Sequence, residues 1–501
     1  MILPSTETSA DAFAVTVSPR RRRQVIENFG ASGCWTMDPL GETWGEADKN
    51  RIADLLFSRD KGIGLSLWRF NIGAGDPKSD GYWQPWRRVA CFKSAPDAPY
   101  DWTRQAGQQW FLRAAKTRGV ENLLAFTNSP PAWMTVTGRA FGDDSARSTN
   151  LKPGAESAFG TFLTDVLTHF RREGLPFQYI SPMNEPCWDW KGGQEGCRYN
   201  NDDIKRVARA VGAALKKARL DTHLDIVDNG DIRMLLDDDL YARYTGKPGD
   251  IARMGNEAHG GRGKYREGLR DLLGDREIQA ITGPRFSCHS YWTADRPHDL
   301  QNLRQLLRRN LERYAPGAIY WQSEFCVMEH GRDLGMDTAL RVAALIHHDL
   351  VYAEASAWHW WLAVSPGDYK DGLIYTDFDA NRPEGRAILP SKTLWALGNW
   401  SRFVRPGARR LELDTAGIPD ELLVSAYHLE RERRSVVVAV NRHDAPHTLS
   451  LRLDDAPRGS RISVFITDAT RDLSRVLQPV ALSLVNAILV PPRAVVTVEI
   501  A

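Results

Sequence analysis

At 501 residues the chain exceeds the roughly 250–300 residues at which one hydrophobic core stops growing, so a large domain plus a smaller one is expected. A net charge of +2, with 42% hydrophobic and 26% charged residues, excludes disorder, a coiled coil and a nucleic-acid binder driven by bulk charge. No stretch approaches the roughly 20 apolar residues of a membrane span.

In chain order, FAVTV (13–17) alternates like a strand. Arg20, Arg21, Arg22 and Arg23 follow it without interleaved aromatics, which fits a solvated turn. Eight short apolar runs come next, bounded by Gly, Pro, Asn or Asp as buried parallel strands are. They are FGASGC (29–34), GIGLSLWRFNIG (62–73), NLLAFTNSPP (122–131), FQYISPMNEP (177–186), LDIVDNGD (224–231), FSCHSYW (286–292), IYWQSEFC (319–326) and ASAWHWWLAV (355–364). Amphipathic segments separate them. In 155–173, Phe159, Phe162, Leu163, Val166, Leu167 and Phe170 share one helical face, and Gly174 is placed to end it. Segment 201–220 repeats the pattern behind Asn201 and Asp202 as cap candidates. Eight strand–helix units in series predict a (β/α)8 TIM barrel.

After about residue 405 the pattern changes to short strands divided by turns: 422–429, 435–442, 448–453, 462–469, 482–490 and 494–500. The expected class is therefore α/β, a barrel over 26–404 with a side antiparallel β-sandwich over 405–501. Residues 1–25 are expected to lend a strand to that sandwich.

Functional side chains of such barrels sit at the C-terminal ends of the strands. Those ends carry Arg69 and Asp76 (strand two), Asn128 (three), Asn184 and Glu185 (four), His289 and Tyr291 (six), Glu324 (seven) and Trp358, Trp360 and Trp361 (eight). Two glutamates across one barrel mouth suit a retaining glycosidase, where one protonates the leaving oxygen and the other attacks the anomeric carbon from about 5–5.5 Å away. Arg69 beside Glu324 would favour its charged form, and Tyr291 would add a hydrogen bond. Seventeen tryptophans, many near strand ends, fit flat C–H faces of sugar rings.

The six cysteines match no zinc spacing, and Cys187 and Cys197 are either a disulfide closing a Trp- and Gly-rich loop or two free thiols. His259, His289 and His330 are scattered, which argues against a metallohydrolase. No metal or cofactor is expected, since two carboxylates suffice for glycoside hydrolysis.

These motifs, in this order, resemble glycoside hydrolase family 30, of the clan of retaining barrel enzymes with catalytic glutamates on strands four and seven. FGASGCW (29–35), LWRFNIGAGD (67–76), NSPPAWM (128–134), ISPMNEP (180–186), HSYW (289–292), QSEFC (322–326), WWLAV (360–364) and ALGNWSRFVRPG (396–407) carry the resemblance, which spans essentially the whole chain. It implies acid/base for Glu185, nucleophile for Glu324, a 2-hydroxyl contact for Asn184, orientation of the nucleophile by Arg69 and Tyr291, and a sugar platform at Trp360. Asp76 falls where glucosylceramide-cleaving members place a sugar-binding Asp.

Those members carry Trp where this chain has Asn128. NSPP on strand three with ISPMNEP and GQEG (193–196) looks like the endo-β-1,6-galactanase subgroup. Asn128 could then meet an axial hydroxyl, while Glu195 and Trp188 would help to bind neighbouring sugar units. WRRVACF (86–92) departs from that subgroup. Other family specificities (β-1,6-glucanase, xylanase, exo-β-glycosidase) and a non-catalytic carbohydrate-binding barrel remain as alternatives. The partner expected is a β-linked oligo- or polysaccharide, with no nucleic acid and no membrane span, and the protein a monomer. The N-terminal residues lack an apolar signal core. Because polymer degradation acts outside the cell, a secreted or periplasmic protein is expected, its leader not part of this sequence.

Overall fold

A computed structural model describes residues 12–501 except 240, 241, 243–262, 295, 296, 378–386, 455–458 and 484. Eight parallel strand positions close into a ring. Asn28–Ser32 pairs with Leu67–Asn71, then Asn122–Phe126, then Tyr179–Ser181. The fifth position is broken in two: His223–Leu224 pairs back with the fourth strand, and Val227–Asn229 pairs forward with Arg285–Cys288. Ile319–Gln322 and Ala357–Ser365 follow, and the last returns to the first. The apolar runs are continuous because both faces are covered, by helices outside and by the packed barrel interior.

The helix expected over 155–173 spans Glu156–Arg172, with its six apolar residues buried. The next spans Asn201–Ala218. Its cap is Asn200 in a reciprocal capping box with Asp203, one residue earlier than the candidates from sequence. Among the described residues, no helix is long and apolar enough to cross a membrane.

Beyond the barrel, seven strands form one antiparallel sheet and three form a second. Ala12–Val17 runs parallel to His447–Leu453 in the smaller sheet, and Arg22–Val25 edges the larger one against Arg409–Leu411. The run VVVAV (436–440) is apolar throughout because the sheet is buried on both sides. Val436, Val438 and Val440 join the barrel-side core, while Val437 and Ala439 join the core between the sheets. Helix Lys392–Ser401 bridges the two layers, its Asn399 bonded to Thr467 and Thr497. The arginines of 20–23 reach solvent, Arg22 pairing with Glu430 and Arg23 with Glu412. All six cysteines are buried and outside any disulfide, Cys187 and Cys197 included.

Candidate active site

At the C-terminal end of the barrel the strand-end residues converge on one buried polar cluster. Arg69 is the link across it. Its Nη1 donates to Glu324 Oε2, and its Nη2 donates to Asn184 Oδ1 at 2.9 Å and Asp228 Oδ2 at 3.0 Å. Its guanidinium lies 3.7 Å from the centre of the Phe126 ring. Tyr291 donates its hydroxyl to Glu324 Oε1 at 3.0 Å. The facing oxygens of Glu185 and Glu324 and a ring nitrogen of His289 all lie within 4.8 Å of one another.

Glu185 sits at the end of strand four with φ 45°, and Asp228 on strand five has φ 50°. Both are left-handed conformations that cost a non-glycine residue energy and recur at functional sites. The Glu185 N–H donates to the Asp228 carbonyl at 2.8 Å and holds the pair. Gly230 must be a glycine here. A Cβ would stand 2.7 Å from Glu185 Oε1 and 2.3 Å from the Trp188 indole nitrogen.

Asp228 is the residue that reading strand ends overlooked. Its carboxylate accepts from Arg69, from Ser181 at 2.8 Å, from Ser323 at 2.6 Å and from Ser287 at 3.3 Å, with His289 Nε2 at 3.0 Å. Burial alone would raise its pKa, but Arg69 and His289 hold it well below the usual range. The signal in the sequence was an acidic side chain set among apolar residues in the strand-five run LDIVDNGD, where a charge needs partners.

Electrostatics separate the groups. Burial pushes the Glu185 carboxyl above the usual range, aided by the charges of Glu324 and Asp228 and opposed by His289. Burial would lower His289, yet Glu324, Asp228 and Glu185 around it raise it to about 10. At neutral pH both ring nitrogens are therefore donors, Nδ1 toward Glu185 at 3.0 Å and Nε2 toward Asp228. Glu185, His289 and Glu324 also have the spacing of a metal site, and a metal there would have to displace the His289 proton. His330 lies apart, paired with Tyr369, and His259 falls outside the described residues.

Other strand-end candidates divide. Asn128 is fully buried, with Nδ2 3.4 Å from Cys34 Sγ and Oδ1 lacking a partner. Trp188 stands edge-to-face with the exposed Trp292 at 5.2 Å, forming an aromatic wall beside Glu185. Trp360 is buried and donates its indole N–H to the carbonyls of Leu362 and Asp371.

Two expected sugar contacts are otherwise engaged. The Asp76 carboxylate accepts from Arg139, Tyr82 and the backbone amides of Lys78 and Ala140, which exhausts its lone pairs and makes it a clamp on the loop after strand two. Glu195 has no exposed surface and accepts from the Val89 amide at 3.0 Å. It lies inside the loop layer rather than facing a sugar.

The profile of O-glycosyl hydrolase family 30 matches residues 12–375. A conserved exported protein from Bacteroides fragilis is 30% identical, with TM-score 0.81 over 97% of this chain and 100% of that one. The catalytic domain of a GH30 xylanase C from Talaromyces cellulolyticus shares the fold, at 20% identity and TM-score 0.68 over 97% of this chain and 100% of that one. An exo-β-1,6-galactobiohydrolase of Bifidobacterium longum is 21% identical over 362 residues, 55% of this chain but 23% of that protein. This chain thus matches under a quarter of that relative's length. With a family match across most of its length, the chain belongs to O-glycosyl hydrolase family 30 and is a glycoside hydrolase.

Proposed function

We propose that the protein is a retaining β-glycosidase in which Glu324 is the nucleophile and Glu185 the general acid/base, acting on β-1,6-linked galactan as an endo-enzyme. The observation that carries it is the pairing of two barrel-mouth carboxyls within 4.8 Å, one raised by burial and the other gripped by Arg69 and Tyr291. That separation suits a double displacement and leaves no room for the water of an inverting enzyme.

In this reading Glu185, protonated, gives its proton to the leaving glycosidic oxygen as Glu324 attacks the anomeric carbon. A glycosyl-enzyme ester forms, and the bond to the leaving group breaks. Glu185, now a carboxylate, takes a proton from water, which releases the sugar from Glu324. Asn184, its Oδ1 held by Arg69, presents its amide N–H2 to the 2-hydroxyl. Asn128, with its unpartnered oxygen, supports the galactan reading over the other specificities of the family, as does the name of the Bifidobacterium relative. The proposal extends to a monomer working outside the cytoplasm, divided into the strand of 1–25, the barrel of 26–404 and the sandwich of 405–501.

Release of reducing sugar from β-1,6-galactan, pustulan and xylan tests the specificity. Turnover of pustulan or xylan in place of galactan would transfer the assignment to that polymer. Glu324→Gln should abolish turnover and keep binding; activity surviving that change overturns the nucleophile assignment.

A further inference from the structure

The loop after strand two carries tryptophans and arginines that the chemistry above does not use. Trp83 is 68% exposed. A single exposed apolar side chain needs no explanation, but Trp83 is not isolated. The Arg87 guanidinium lies 5.5 Å from its ring, 5.0 Å from Trp86 and 5.4 Å from Trp35. Trp35 is fully buried, packs edge-to-face on Trp361 at 5.2 Å, and follows Cys34, the contact of Asn128. Three indoles around one guanidinium thus run from the rim to the floor of the site.

The rim end is held rigidly. Trp83 N–H donates to the Gly193 carbonyl at 2.9 Å, and Gly193 N–H donates to Gly81 at 2.7 Å. The ring lies so close over Gly193, itself at φ 83°, that a Cβ there would come within 2.5 Å of it. Arg87 Nη1 is tied to Gln194 at 3.1 Å, and the Asp76 clamp fixes Tyr82 beside it at 2.7 Å. An exposed indole is thus presented without the entropy cost of ordering it on binding.

We propose that Trp83 and Arg87 form a sugar subsite for a unit of the polymer beyond the one attacked. The C–H face of a neutral hexose stacks on the indole while Arg87 donates to its hydroxyls. Trp188 lies beside Glu185, on the leaving-group side, and packs on Trp292. The Trp83 cluster rests on Gly193 and runs inward to Trp35, next to Cys34 and Asn128. This inference rests on the glycosidase reading.

The test measures kcat/KM on the oligosaccharide series, disaccharide to hexasaccharide, of whichever of the three polymers is cleaved. For Trp83→Ala the loss should grow with chain length to about tenfold, chiefly in KM, equivalent to one stacked contact. Trp83→Phe should recover part of it. A loss equal at all lengths, or none, overturns the subsite. Affinity electrophoresis of Glu324→Gln, alone and combined with Trp83→Ala, in gels containing each polysaccharide reads the subsite without catalysis. Retardation of the first that Trp83→Ala weakens supports it; equal retardation of both, or none of either, overturns it. Turnover by Glu324→Gln would instead count against the catalytic reading alone.

Discussion

His289 and Asp228 meet at 3.0 Å through Nε2 and Oδ1, at the point where the broken fifth strand faces the sixth. The other nitrogen of the same imidazole lies 3.0 Å from Glu185 and 3.5 Å from Glu324. One cation therefore touches three carboxyl groups, and the charges of Glu324 and Asp228 keep it a cation. Glu185 is tuned through this imidazolium as well as by its own burial.

Asp228→Asn should lower kcat by about 100-fold, in the range of a disturbed proton-transfer group. One of the carboxylates that raise His289 is lost while Glu324 stays, so the imidazole should titrate lower and the alkaline limb of the pH–rate profile should move down. Removing one partner of a buried charge pair costs about 3–5 kcal/mol, so the thermal midpoint should drop as well. An unchanged pH profile beside a lower midpoint would reduce Asp228 to a purely structural role.

Tyr291→Phe removes the hydroxyl that donates to Glu324. A hydrogen bond to a charged group contributes about 1.5–3 kcal/mol, or roughly 10–100-fold in rate. Burial, with the neighbouring Cys326 and Glu324, raises the Tyr291 phenol well above its ordinary value, so it remains a donor across the working range. The variant should therefore lose kcat/KM by that factor while the shape of the pH profile stays the same.

Strand-end reading located Arg69, Asn184, Glu185, His289, Tyr291 and Glu324 because barrel geometry fixes where a strand points. It could not show which of those groups already has its bonds filled. Asp76 stands at a strand end like the others, but Arg139 reaches it from a loop 63 residues away. Glu195 is polar and in a loop, yet a second loop covers it. Asp228 escaped for the opposite reason. It lies within the strand run, and only the ring closure of the barrel brings Arg69, Ser181 and Ser323 onto it. Long-range partners of this kind leave no periodicity to read.

Glu195→Gln should change the pH dependence of stability. Burial raises the Glu195 carboxyl from 4.5 to about 8, opposed by backbone amide donors. The folded state keeps a proton that the unfolded chain releases, so this contribution is whole below pH 4.5 and is lost as pH rises toward about 8. Glutamine mimics the neutral acid at every pH. The variant should gain on the order of 3 kcal/mol over the parent at pH 7, and nothing at pH 4, in denaturant or thermal unfolding. Asp225, also raised to about 8 by burial and the Asp228 charge, should leave a residual slope in the same window. Equal slopes in parent and variant would mean that Glu195 is ionised in the folded protein.

Asn128→Ala tests how the sugar is chosen. The side-chain oxygen is buried and without a partner, and the amide nitrogen has only a thiol for company. A buried unfilled acceptor costs about 1–3 kcal/mol, so its removal should leave the fold as stable as before, or more so. In the proposed galactan reading this oxygen, which has no exposed surface before substrate binds, becomes the acceptor for an axial 4-hydroxyl, which galactose offers and glucose does not. The alanine variant should therefore lose about 10–100-fold in kcat/KM on aryl β-galactosides, and much less on the gluco-configured counterparts. A matching loss on both sugars would place Asn128 in the support of Cys34 and Trp35, and the choice of sugar would pass to other residues of the site.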